Sequence, residues 1–163
     1  MSEMVDFVLN ELGQDRLFEV LQSKLRPKAM HPFELRHPAL GREAKVLYPQ
    51  ARMIEAVVYI LVHIATSVPR HRQLITAQTD LLRLLAAQFN NGSSEVRRAL
   101  CHLLSNLVTV DDPHDAEGSY QRAAELKRLG FQTKLESIEH EDVALDVKQQ
   151  ARHAAFYMQQ DQY

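Results

Sequence analysis

Tryptophan is absent from this chain of 163 residues, cysteine occurs once, and glycine only five times. Each scarcity removes a class of protein. A single thiol, Cys101, can form no internal disulfide and cannot by itself build a zinc site, so a reducing compartment suits it. There is no Cys-x-x-Cys, no His-Glu-x-x-His, and no glycine-rich phosphate loop. No stretch approaches the roughly 18 apolar residues that a membrane span needs. The opening Met1-Ser-Glu-Met-Val-Asp carries acids where a signal peptide would carry bases. The expectation is a soluble intracellular protein, cytoplasmic or nuclear, with no membrane partner.

Charge of one sign is also lacking overall, since the net value is only −2, but it is unevenly spread. Residues 1–25 carry −3, residues 26–110 carry +6, and residues 111–163 carry −5. A basic middle between acidic ends suits an acidic protein partner. It is too dilute for nucleic acid, which calls for clustered Lys and Arg interleaved with aromatics.

What is present is Ala, Leu, Gln, Glu and Arg at helical spacing, which predicts an all-α fold in one chain-length unit. Residues 1–25 predict a helical hairpin. Val5, Val8, Leu9 and Leu12 form one stripe, Gly13 is expected to end that helix in the left-handed conformation, and Asp15 to start the next. Residues 26–50 hold four of the six prolines, Pro27, Pro32, Pro38 and Pro49, and read as a basic loop. Such a segment is either a tolerated insertion or a strap that lies on a partner.

Residues 51–163 then repeat. Met53, Val57, Ile60, Leu61 and Ile64 are echoed 43 residues later by Val96, Leu100, Leu103, Leu104 and Leu107, a period that marks a stacked helical repeat. Ala51–Val68 is expected as a long helix stopped by Pro69. Arg70–Ile75 and Ala77–Phe89 follow as shorter ones, the second burying Leu81, Leu82, Leu84 and Leu85. After the turn Asn90–Ser94, with its N-cap candidates, comes Ser94–Val110. A third group, Gln121–Leu129, Phe131–His140 and Asp142–Met158, lies 51 residues on, because the loop around Asp112 is expected to have lengthened. Its last helix, poorer in large apolar residues, looks like a terminal cap.

Residues four apart share a helix face. Read across the repeats, they give a ladder of nine candidate binding residues: Glu55, Tyr59 and His63; Arg98, His102 and Asn106; Gln149, His153 and Tyr157. Any surface helix has a polar face, but His, Tyr, Asn and Arg in three aligned rows can hydrogen-bond a peptide backbone and its carboxylates. A shared metal ion is not expected. His63, His102 and His153 stand on neighbouring helices about 8–10 Å apart, and no helix carries a pair of histidines four apart. Cys101 and His102 point about 100° apart and do not form a nucleophile and base. Asn91-Gly92-Ser93 is a glycosylation sequon without relevance inside the cell.

The short–medium–long helical unit and the run Val96-x3-Leu100-x2-Leu103-Leu104-x-Asn106-Leu107 resemble the armadillo repeat. Leu25-Arg26-Pro27-Lys28 with His31-Pro32-Phe33, the stretch Ile54–Ile60, the run Glu95–Leu103, and Glu125–Phe131 are similar to the C-terminal part of the armadillo-subunit family of GID/CTLH ubiquitin ligases. The resemblance implies an armadillo-type α-solenoid of about three repeats, without catalytic activity or cofactor. It implies a scaffold whose groove holds the ligase's substrate receptor, with Asn106 bonding an extended peptide. Members of that family are normally much longer, and Asp146–Ala151 is more polar than their pattern. A peptide-binding transport adaptor of the importin type is the alternative, disfavoured by the lack of groove tryptophans and the basic middle. A metal- or cysteine-dependent hydrolase is the rival from another class.

Overall fold

A computed structural model of the protein describes residues 2–29 and 46–159. Among these residues nine α-helices occur: α1 Ser2–Leu12, α2 Gln14–Leu25, α3 Ala51–Ala65, α4 Pro69–Thr76, α5 Thr79–Ala86, α6 Ser94–Val108, α7 Ala116–Arg128, α8 Phe131–Glu141 and α9 Leu145–Met158. A two-residue antiparallel pair, β1 Lys28–Ala29 with β2 Val46–Leu47, flanks the segment 30–45, which carries Pro32 and Pro38 and lies outside the described residues. The all-α expectation therefore holds. Most of the 26–50 loop is not described.

The helices form three layers of three, α1–α3, α4–α6 and α7–α9. The long helices lie side by side, α3 on α6 and α6 on α9, while α4 meets α7 and α2 meets α5. The hairpin expected at 1–25 is thus part of the stack, since α1 also reaches α4 through Asp6, which accepts from Arg70 and bonds His71 Nε2 at 2.9 Å. Apolar residues on the inner faces make one core. Phe18, Ile54, Leu61, Leu85, Leu100, Leu103, Leu135, Val147 and Met158 all belong to it. Phe89 and Phe131, centroids 5.7 Å apart, join the second layer to the third.

Local chemistry sets the boundaries, and several differ from the sequence expectation. Pro69 does not stop α3, which ends at Ala65; it opens α4 at the first helical position, where its missing N–H is no loss. Ser93 caps α6 by accepting from the Val96 N–H at 3.4 Å, as its position in the turn suggested. Gly130 ends α7 with φ 88° and ψ 10°, a left-handed conformation. Gly13 has φ 77° but ψ 132°, so it breaks the hairpin outside the left-handed helical region, and α2 begins at Gln14. The extra length of the third layer is not all loop. The link 109–115 is longer than 66–68, and α7 has 13 residues where α4 has 8.

Two buried arginines tie the layers together, and the sequence reading missed both. Arg72 on α4 donates Nε to Ala65 O at 2.7 Å, Nη1 to Thr109 O at 3.1 Å, and a fork to Asp111 at 2.9 and 2.7 Å. Arg122 on α7 donates Nε to Leu107 O at 2.6 Å and a fork to Asp115 at 3.1 and 2.6 Å. Each satisfies carbonyls at the C-terminus of the preceding layer's long helix, groups the helix itself leaves open. Gly118 is required beside the second pair, because a Cβ there would overlap Asp115 Oδ1 and crowd Arg122 Nη1.

Candidate functional site: the outer face of the three long helices

The exposed side of α3, α6 and α9 follows from their burial pattern. On α6, Val96, Leu100, Leu103, Leu104 and Leu107 are buried, which leaves Arg98 and His102 outside with Asn106 half-buried between them. On α9, Val147, Ala151, Ala154 and Ala155 are buried and Gln149 and His153 lie outside, with Tyr157 half-buried. On α3, His63 is exposed, and Glu55 and Tyr59 are half-buried. Two residues assigned to the apolar stripe of α3 prove different: Met53 and Ile60 are 43% and 44% exposed.

The middle of the ladder is brought together across all three helices. Burial lowers the basicity of His102, and the nearby charges of Arg98, His153 and His63 lower it further. His153 Nδ1 lies 3.3 Å from the Ser105 hydroxyl on α6, and its ring meets Tyr157 edge-on with centroids 4.8 Å apart. Asn106 Nδ2 donates to Val62 O on α3 across 3.4 Å, a long bond that leaves its carbonyl oxygen and second N–H available. Arg98 reaches Asp146 on α9 at 3.6 Å, both side chains being more than half exposed, so this pair is weak. The ends are looser. Glu55, Tyr59 and Gln149 make no side-chain hydrogen bond among the described residues.

This surface can do two things chemically. Imidazole, guanidinium, amide and phenol groups in a row offer donors to backbone carbonyls and carboxylates, while Tyr59, Tyr157 and the exposed Phe156 offer flat apolar area. Ser105, Asp146 and Phe156 belong to it and were not singled out from the sequence. Asp146 and Phe156 could have been found by adding the three-residue helical spacing to the ladder on α9, one step before Gln149 and one step after His153.

Among the described residues no group of three or more His, Cys, Asp or Glu side chains is arranged to hold a metal ion. Nor is any described helix long and apolar enough to cross a membrane. Cys101 is buried, and desolvation together with the nearby Asp142 charge pushes its thiol up to about 12. Asp142 itself is held below the usual carboxylate range by the Arg97 guanidinium, which donates at 2.7 and 3.0 Å and fixes the α8–α9 turn to the start of α6.

A second concave feature lies beside the N-terminus of α3, lined by Lys24, Arg26, Lys28, Leu47, Tyr48, Pro49, Gln50 and Met53. Its basic mouth was legible only as part of a loosely basic loop. No protein-family model matches the chain, and no curated protein matches it.

Proposed function

We propose that this chain is an armadillo-type α-solenoid of about three repeats that serves as a non-catalytic scaffold, holding an extended segment of another protein along α3, α6 and α9. The observation that carries this reading is the row His63, His102 and His153 on three adjacent helices, flanked by Arg98, Asn106 and Tyr157. A peptide laid across that row gains hydrogen bonds to its main chain and charge complementarity from Arg98. The protonated state of the buried Cys101 thiol supports a binding role over a cysteine-dependent hydrolase.

The likeness of Glu95–Leu103, Ile54–Ile60 and Glu125–Phe131 to the GID/CTLH armadillo subunits suggests the partner: the substrate receptor of such a ubiquitin ligase, in cytoplasm or nucleus. The test is co-purification. His102→Ala combined with Asn106→Ala is expected to weaken the receptor by more than ~1 kcal/mol while the melting temperature stays near that of the parent. Undiminished co-purification of the receptor with the double variant sinks the reading.

A further inference from the structure

The repeat register sets one end of the stack apart from its middle. Val96, Ala99, Leu103 and Asn106 on α6 lie on the flank that meets α3, and the Asn106 amide bonds Val62 O across that seam. Their counterparts 43 residues earlier are Met53, Ala56, Ile60 and His63. All four are exposed on α3, which has no long helix packed before it among the described residues. Spacings of three and four place them on one stripe of the helix. The same end of the stack carries a second stripe. On α1, Asp6 faces α4, and Met4, Val8 and Leu12, four residues apart, stand on roughly the opposite side and are exposed.

We propose that this end face, built from Met4, Val8 and Leu12 of α1 and Met53, Ala56 and Ile60 of α3, is an interface with a second copy of the chain, related by a two-fold axis. Two exposed apolar stripes at one end of a helical layer mark an association site. Charge selects the occupant. The α1 helix carries Glu3 and Glu11 exposed and no base, whereas Lys24, Arg26 and Lys28 line the cleft that Met53 also lines, and none of these three makes an ion pair among the described residues. A two-fold pairing sets the acidic edge of one copy against the basic edge of the other, and because both copies use the same patch the assembly closes at two.

The opposite end of the stack is a poorer mate for this face. On α9 the outward flank holds Gln149 and Arg152, the latter held by Glu139 at 3.0 Å, beside Leu145 and Phe156. Covering it with Ile60 and Met4 would strip water from that ion pair without replacing it.

Sedimentation or light scattering of the full chain across micromolar concentrations tests the proposal. A monomer–dimer equilibrium is expected, weakened as salt rises. Met4→Glu with Ile60→Glu is expected to raise the dimer dissociation constant by more than about tenfold. Helix content and melting of the dilute monomer should be kept, because both side chains are exposed. Phe156→Glu at the other end should leave the dimer intact. A chain that stays monomeric at all concentrations overturns the proposal. So does a dimer indifferent to the paired glutamates, and so does open-ended growth abolished by Phe156→Glu, which would mean head-to-tail stacking. The groove residues His102 and Asn106 are outside this face, so losing the receptor and losing the dimer are separate outcomes.

Discussion

Arg122 is 1% exposed and its partner Asp115 side chain 9%, while Arg72 is equally buried against an Asp111 side chain that is 53% exposed. Each arginine joins a helix-end carbonyl to a carboxylate in different dielectric surroundings, and Arg72 holds the Thr109 carbonyl besides, so their removal should differ in consequence. Arg122→Met leaves a buried carboxylate and an open Leu107 carbonyl and is expected to destabilise by about 3–5 kcal/mol. Arg72→Met opens the Ala65 and Thr109 carbonyls but leaves Asp111 able to hydrate, and should cost about 1–3 kcal/mol. Urea unfolding midpoints of the two variants measure the difference, and equal losses would contradict this account. At His102 the prediction concerns pH. Its folded pKa lies below the ordinary value near 6.5, chiefly through burial and then through Arg98, His153 and His63, so the unfolded chain takes up the proton first. The stability tied to the neutral ring is full above that ordinary value and is lost as pH falls from it toward the folded pKa. His102→Gln should flatten the fall in melting temperature across that window, leaving the lower-pH losses, where Asp111 and Asp142 protonate, in place.

Among the elements, Gly130 and Gly92 make a controlled pair. Neither has a heavy atom within 4 Å of a built Cβ, but only Gly130 has a positive φ. Gly130→Ala should therefore destabilise by about 1 kcal/mol through backbone strain alone, and Gly92→Ala should not, as thermal unfolding would reveal. The helices were legible because their apolar spacing is strong: the second and third layers stand where the 43- and 51-residue echoes put them. Boundaries were less so. Pro69 ends one helix or begins another with equal ease, and only the position of the Ala65 carbonyl, taken up by Arg72, decides between them. The start of α7 at Ala116 was hidden because Ala116-Glu-Gly-Ser carries no apolar signal. Its first buried residues are Ser119 and Arg122, polar types that a hydrophobic pattern passes over, ahead of the buried Ala123 and Leu126. That each trio of the ladder shares one helix face was legible, since four-residue spacing needs no tertiary knowledge. Met53 and Ile60 were misplaced for a tertiary reason: among the described residues no long helix packs in front of α3.

At the scale of the molecule, the three layers of helices meet across two seams. The seams are unequal. The third layer rests on the second through Phe89 and Phe131, the Arg97–Asp142 fork, and Arg122; Asp142→Asn should loosen the α8–α9 turn and raise hydrogen exchange in α9 more than in α3. The backward reach of Arg72 and Arg122 also gives the molecule a direction in time. A chain emerging from the ribosome releases α3 before α4 and α6 before α7, so the last carbonyls of each long helix wait, solvated, until an arginine from the following layer arrives. Each layer is provisional until its successor closes it, and assembly proceeds as a series of latches, each fastened by the part of the chain made next.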